Sequence, residues 1–282
     1  NNKHFSQKKR DFYQYYATVL EPWDGPAAIL FSDGDVVGAV LDRNGLRPSR
    51  YYITKDGRMI LSSEVGVLPC DPAEIEVKDR LRPGKMLLVD TVKGEVVDDE
   101  NLKEYYASRE PYGEWIDRNL VQLKDLKIPN IKVPNYTGDE LTRLQKVFGY
   151  KYEEVKELIL PMARLGAEPS GAMGTDTPLA VLSGQHPPLF NYFKQRFAQV
   201  TNPPIDAIRE KVVTSTSVYV GAHGNLLEDK PENCKVLKVH NPILTSTDLL
   251  KIKHMNVPGF KVATVSINYY KNTSLEQAID RV

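Results

Sequence analysis

The stretch AAILFSDGDVVGAVLDRNGLRPSRYYIT, residues 27–54, decides the fold. Its first half places Asp33-Gly34 between two apolar runs, and an Asp-Gly pair in that setting is a strong signal for a β-hairpin. Three hairpins of this kind follow one another, and their apolar arms are 27–31 with 36–41, 51–53 with 59–61, and 85–90 with 96–97. Hairpins so closely spaced predict antiparallel sheet.

The turn LDRNGLRPSRY, residues 41–51, separates the first two hairpins and has two interpretations. It contains three arginines, which are Arg43, Arg47 and Arg50. In a catalytic interpretation, Asn44-Gly45 supplies an oxyanion hole and the arginines hold a phosphate or carboxylate. In a structural one, Asn44-Gly45 takes the left-handed backbone of a tight turn, while Asp42 and the arginines tie adjacent strands. No nucleophile system lies nearby in sequence, which favours the structural interpretation.

The composition narrows the class of protein. The 282 residues carry 37 basic and 37 acidic side chains, so net charge gives no reason to expect nucleic acid or an anionic membrane as partner. No run of about 18 apolar residues is present. Cys70 and Cys234 form no CxxC pair and have no histidine at metal-ligand spacing, which predicts a reducing, cytoplasmic setting. The first residues contain no signal core, and we expect the chain to be a piece of a longer protein.

Helical spacing marks most of the remaining sequence. Helices are predicted over 8–20, 100–108, 112–123, 137–148, 152–165, 190–200 and 274–282. Thr137 and Glu140 match a capping box at the start of one of them. Two β-branched runs, 236–239 and 261–267, are of the kind buried in a parallel sheet. The stretch 127–136 carries two prolines and predicts a linker between domains 1–126 and 137–282.

Three segments together resemble the class II glutamine amidotransferase domain of glutamate synthase. They are EPWDGPAAILFSDGDVVGAVLDRNGLRPSRYYIT (21–54), ILSSEVGVL (60–68) and LRPGKMLLVD (81–90), and the second contains the Ser63-Glu64 pair. The resemblance implies an α+β part, the C-terminal half of an N-terminal-nucleophile domain with antiparallel sheet. The run 165–213 resembles the start of the glutamate synthase central domain, which implies an incomplete α/β domain over 137–282.

The resemblance places the catalytic groups outside this sequence. In the family the nucleophile is a cysteine at the mature amino terminus, and the oxyanion Asn-Gly is an upstream motif followed by glutamate. Here residue 1 is asparagine, and Asn44-Gly45 is followed by Leu46. By resemblance the motif residues form scaffold behind the glutamine pocket: Asp42, Arg43, Asn44, Gly45, Arg47, Ser63 and Glu64. We assign no catalytic residue and expect the isolated segment to be inactive.

Thr201 and Asn202 precede two prolines that fix the backbone. By resemblance this pair lies at the entry of the passage that carries ammonia between the two active sites. A hydroxyl and an amide at a narrow point can hydrogen-bond ammonia or a gating water. The alternative is that both residues cap the next helix.

The resemblance also implies what the whole protein does. It makes L-glutamate from glutamine and 2-oxoglutarate by glutamine hydrolysis, internal ammonia transfer and reductive amination. We expect FMN and a 3Fe-4S cluster in a later domain, and no cofactor or metal in this segment. The expected partners are the remaining domains of the same chain and either a small reductase subunit or ferredoxin, without nucleic acid or membrane. The expected location is the cytoplasm, or the plastid in a plant or alga. The alternatives are a fragment of another class II glutamine amidotransferase and a non-catalytic interaction module.

Overall fold

The computed structural model shows two compact units with mixed α and β structure. It describes residues 4–20, 25–167, 169, 179–184, 187, 189–193, 215–222, 224–265 and 272–281. One unit combines residues 1–129 with 211–282, and the other contains 130–210. The predicted fold class, an α+β and α/β chain with antiparallel sheets in its first part, is confirmed. The predicted division into domains at 127–136 stays a prediction.

Two antiparallel sheets form the first part of the chain, and all three predicted hairpins are confirmed. The strands are β1 Ala28–Ser32, β2 Val36–Leu41, β3 Arg50–Thr54, β4 Met59–Ser62, β5 Ile75–Arg80, β6 Met86–Asp90 and β7 Glu95–Val97. They pair in the orders β1-β2-β6-β7 and β4-β3-β5. The buried core beneath them consists of Ala39, Leu41, Leu81 and Leu87, with Tyr51, Met59 and Leu61 packed against it. The turn 41–51 leads from one sheet into the other.

A third, small sheet lies further along the chain. Its strands are β8 Val121–Gln122, β9 Val218–Val220 and β10 Leu237–Val239. β10 pairs parallel with β8 and antiparallel with β9, so the prediction of a buried run at 236–239 in a parallel pairing is confirmed. The prediction for 261–267 is wrong over its described part: residues 261–265 form no strand. No described strand offers them a partner, and Val262 and Val265 stay exposed.

Three helices in the first part of the chain pack against one another, and one of them also contacts the first sheet. They are α1 Gln7–Val19, α2 Asp99–Ala107 and α3 Tyr112–Asn119. The helix predicted at 8–20 is confirmed as α1, and it packs against α2 and α3. α3 ends earlier than the predicted 112–123, because the Val121 N–H donates to the Val236 carbonyl at 3.0 Å and pulls the backbone into β8. A distant partner therefore overrides the local helical spacing.

The second unit contains α4 Gly138–Val147, a π-helix Glu154–Ile159 and α5 Leu160–Leu165. The predicted capping box at Thr137 is wrong, since its side chain makes no capping hydrogen bond. Both Thr137 and Glu140 are exposed, so water satisfies the free backbone donors. Pro161 explains the π-helix: it lacks the N–H of the regular pattern, and the Leu160 N–H instead reaches the Val155 carbonyl, five residues back.

The last two helices have the capping motif that Thr137 lacks. They are α6 Ser246–Lys253 and α7 Leu275–Arg281. Thr245 and Asp248 form a reciprocal capping box on α6, with the Thr245 Oγ1 accepting from the Asp248 N–H at 3.1 Å. Before α7, the Ser274 Oγ accepts from the Gln277 N–H at 3.1 Å. The helix predicted at 274–282 is thus confirmed as α7.

Candidate functional site

Asp42 organises the turn at 41–51 through backbone hydrogen bonds. Its carboxylate accepts from the Ala27 N–H at 3.2 Å and from the Asn44 N–H at 2.9 Å. Its carbonyl accepts from the N–H groups of Gly45 and Gly84, each at 3.0 Å. One residue therefore ties together the start of the first hairpin, the turn itself and the loop before β6.

Gly45 is the position in the turn that tolerates no side chain. Its φ is +62°, in the left-handed region that favours glycine. A Cβ there would lie 2.6 Å from the Pro83 Cγ, well inside contact distance. The Asn44 and Gly45 N–H groups are both donated to Asp42, so neither points to an incoming oxyanion. This geometry supports the structural interpretation of the Asn-Gly pair.

Arginines gather beside the same turn. A cavity of about 330 Å³ opens there, lined by the turn residues and by the end of β5. Arg47 and Arg50 line it together with Arg80. Arg43 belongs to the motif but is not among the described residues lining the cavity. The structure therefore separates the arginines that the sequence analysis grouped, and it adds Arg80, which lies far along the chain.

The Ser63-Glu64 pair lies at the same end of the second sheet as this turn. Ser62, the last residue of β4, is directly opposite Arg50 of β3, so residues 63 and 64 emerge where the turn enters the sheet. Both side chains are exposed. The Ser62 hydroxyl donates to the Glu64 carbonyl and closes this loop locally. Thr201 and Asn202, the two predicted passage residues, lie outside the described residues.

A buried aromatic cluster, which the sequence analysis missed, joins the beginning of the chain to residues 229–234. Tyr15 and Tyr112 are 1% and 2% exposed, and their rings are 5.0 Å apart. Tyr16 and Tyr112 both donate their hydroxyl hydrogen bonds to the Asp229 carboxylate, the latter at 3.0 Å. The Tyr15 hydroxyl donates to the Lys230 carbonyl at 2.8 Å. We call these five residues the tyrosine-aspartate joint.

Burial and the Asp229 carboxylate raise the pKa values of two tyrosines in the joint. Burial, followed by the hydrogen bond to the Asp229 carboxylate, raises the pKa of Tyr112 to about 12. The same two causes raise the pKa of Tyr16. Cys234 packs beneath Tyr15 and Tyr112 with no exposed surface, and burial raises the pKa of its thiol to about 11. The cysteine is therefore a neutral packing residue, as free buried cysteines commonly are.

The sequence contains only half of the signal for this joint. The aromatic residues of α1 and α3 recur at helical spacing, which predicts a packed helix pair. Asp229 and Lys230 lie in a polar stretch more than 200 residues after α1 and more than 100 after α3, and nothing in that stretch predicts buried tyrosine partners.

The described residues give no sign of a metal centre or a membrane span. Among them no three histidine, cysteine, aspartate or glutamate side chains are placed to hold a metal ion. Within the same ranges no helix is both long and apolar enough to cross a membrane.

Comparison with known families assigns the two parts of the chain. Residues 1–115 match the class II glutamine amidotransferases, and residues 143–282 match the glutamate synthase central domain. Curated glutamate synthases are 42–49% identical to this chain over most of its length. The chain belongs to the glutamate synthase family.

Three relatives in the glutamate synthase family show how much of the family's length is present. The NADPH-type large chain of Bacillus subtilis is 47% identical over 266 residues, covering 94% of this chain and 17% of the relative. The NADH-type enzyme of Schizosaccharomyces pombe is 42% identical, with coverages of 100% and 14%. A ferredoxin-dependent enzyme of Synechocystis is 45% identical, with coverages of 96% and 17%. The chain therefore spans about a sixth of the length of these glutamate synthases.

The tyrosine-aspartate joint connects residues from both matched regions of the chain. Tyr15, Tyr16 and Tyr112 fall within the amidotransferase match, whereas Asp229 and Lys230 fall within the central-domain match. The hydrogen bonds of the joint therefore connect the region that matches the amidotransferases with the region that matches the central domain.

Proposed function

We propose that this chain is the connecting part of a glutamate synthase, which combines glutamine amidotransferase and oxidoreductase activities. The whole protein would make L-glutamate from glutamine and 2-oxoglutarate, with ammonia passing internally from one active site to the other. The observation that carries the proposal is the tyrosine-aspartate joint between the two family regions. Ammonia transfer requires two domains held in a fixed relation, and a buried hydrogen-bonded joint supports such a relation.

In this proposal the chain supplies scaffold and part of the passage wall. The residues from Asp42 to Arg47 shape the sheet framework behind the glutamine pocket, which agrees with the backbone bonds of Asp42. Ser63 and Glu64 belong to the same framework at the neighbouring strand end. Thr201 and Asn202 would line the ammonia passage, a role that rests on the family resemblance and on the chemistry of their side chains.

The redox cofactors belong to other domains of the whole protein in this proposal. FMN and the 3Fe-4S cluster would be bound outside this segment. Its two cysteines are too few for the thiolates of such a cluster, and Cys234 is buried and donates to the Pro231 carbonyl.

The electron donor, the redox partner and the location are proposed from the names of the relatives. Relatives named for NADPH, NADH and ferredoxin have similar identities to this chain. A small reductase subunit or ferredoxin therefore remains the proposed redox partner. We propose the cytoplasm as its location, or the plastid if the source is a plant or alga; the spinach relative is named chloroplastic.

The passage role is tested in the full-length protein that carries this segment. The double variant Thr201→Val with Asn202→Leu keeps the side-chain volumes nearly unchanged and removes the polar groups. We expect glutamine-dependent glutamate formation to fall at least about tenfold, while glutamate formation from added ammonia stays unchanged. Thr142→Val, an exposed threonine of α4, serves as the control. Equal loss of both activities, or no loss of either, would rule out the passage role.

A further inference from the structure

The cavity beside the turn 41–51 has an unusual balance of charge. Its volume is about 330 Å³, and three arginines are among the residues that line it, Arg47, Arg50 and Arg80. Among the described residues no aspartate or glutamate lines it. The nearest carboxylate in the turn, that of Asp42, is engaged by two backbone N–H groups on another side. The lining therefore has three positive charges and no neutralising partner among the described residues.

The strand register makes this arrangement costly for the folded chain. Arg50 of β3 and Arg80 of β5 are directly opposite each other in an antiparallel pair. Like charges in that position repel and destabilise a sheet. Among the described residues neither guanidinium makes an ion pair, although pairing with a neighbouring acid is the usual way to relieve such repulsion. An anion bound between the two guanidinium groups would relieve this repulsion.

The remaining lining fits a small anion. Leu41, Leu81 and Pro83 form an apolar floor, which lowers the local dielectric and strengthens an ionic contact. The Leu81 N–H is donated to the Ser49 carbonyl at 2.9 Å, so the backbone between the turn and β5 is held in place. The three arginine side chains are exposed, which leaves the cavity open to a ligand from solvent.

We propose that this cavity is a binding site for a compact dianion, either inorganic phosphate or a small dicarboxylate. Guanidinium groups recognise both through paired, charge-assisted hydrogen bonds. The Arg50 and Arg80 side chains bind the anion between their guanidinium groups, and Arg47 contacts it from the turn. The site does not depend on the proposed function, since it rests on the register and the cavity alone.

The test measures anion binding to the whole 282-residue chain by calorimetry and by thermal melting. Phosphate and succinate are the two dianions, and acetate and chloride at equal ionic strength are the monoanion controls. The variants are Arg47→Gln, Arg50→Gln and Arg80→Gln. Arg58→Gln is the matched control, because Arg58 lies in the turn between β3 and β4, is exposed and pairs with Asp56.

The expected result has two parts. A dianion raises the melting temperature of the wild-type chain and of Arg58→Gln equally, and each cavity variant binds it at least about tenfold more weakly. Without dianion, Arg80→Gln melts at a higher temperature than the wild-type chain because the cross-strand repulsion is gone. Binding of phosphate alone or of succinate alone identifies the ligand class.

Two results would overturn the proposal. One is the absence of dianion binding to the wild-type chain beyond that of acetate and chloride. The other is Arg47→Gln binding as tightly as the wild-type chain, and this result counts even if the strand variants fail to fold, because Arg47 is an exposed turn residue.

Discussion

Replacing Asp229 with alanine tests the tyrosine-aspartate joint directly. The carboxylate accepts hydrogen bonds from the hydroxyls of Tyr16 and Tyr112. A buried donor that loses a charged partner costs about 1–3 kcal/mol. Tyr112 is 2% exposed and bears the full cost, whereas Tyr16 is half-buried and regains part of its hydrogen bonding from water. We expect Asp229→Ala to lower the free energy of unfolding by about 2–4 kcal/mol.

Urea unfolding followed by tryptophan fluorescence measures this loss. Trp115 reports on the joint because its ring lies 5.5 Å from the rings of both Tyr15 and Tyr112. Asp117→Ala is the matched control, an exposed aspartate on α3, and we expect it to change stability by less than about 0.5 kcal/mol. An Asp229→Ala loss no larger than the control's would refute the account of the joint.

The raised pKa of Tyr112 predicts that the stability of the chain depends on pH. The pKa of Tyr112 is raised from 10.0 to about 12, so between these values the unfolded chain loses the phenolic proton while the folded chain keeps it. The unfolded state then binds fewer protons, and stability falls as pH rises from about 10 to about 12. This shift in the pKa of Tyr112 corresponds to a loss of about 2–3 kcal/mol in the free energy of unfolding over that pH interval. Tyr112→Phe has no phenol to ionise and should lose correspondingly less stability over that interval; identical profiles for both chains would contradict the assignment.

Three further predictions concern other parts of the chain. Gly45→Ala should destabilise by about 2–4 kcal/mol in urea melts, against about 1–2 kcal/mol for Gly57→Ala, because only the former also meets Pro83. Asp99→Ala should lower the free energy of unfolding by about 2–4 kcal/mol, because the buried Asp99 carboxylate accepts from the Met86 N–H and pairs with two lysines. Glu104→Gln, at an exposed residue, should lower it by less than about 1 kcal/mol. The purified chain should release no ammonia from glutamine, and ammonia above a protein-free blank would contradict the placement of the nucleophile elsewhere.

The hairpins were predictable from sequence because their information is local. Asp33-Gly34 and Asp56-Gly57 fix tight turns within a few residues, and the apolar arms then determine which strands pair. The tight turn at 41–51 was predictable for the same reason, since Asp42 accepts hydrogen bonds from N–H groups of its own turn.

The features that could not be predicted from sequence depend on contacts between residues far apart along the chain. Helix α3 ends early because the Val121 N–H at the start of β8 donates to the Val236 carbonyl. Residues 261–265 have strand-like composition, yet no described strand pairs with them. The Tyr16 contact with Asp229 and the opposition of Arg50 and Arg80 arise only once the chain is folded and the strand register is set.

The central claim is that this chain serves as the connecting segment of a glutamate synthase. Its most direct test is a chimera in which the chain replaces the matched 266-residue region of the Bacillus subtilis large chain. The measurement is glutamate formation from glutamine and 2-oxoglutarate, with glutamine hydrolysis recorded in parallel. The account predicts that the chimera forms glutamate in proportion to the glutamine it hydrolyses. A folded chimera that hydrolyses glutamine but releases the ammonia to solvent without forming glutamate would contradict it.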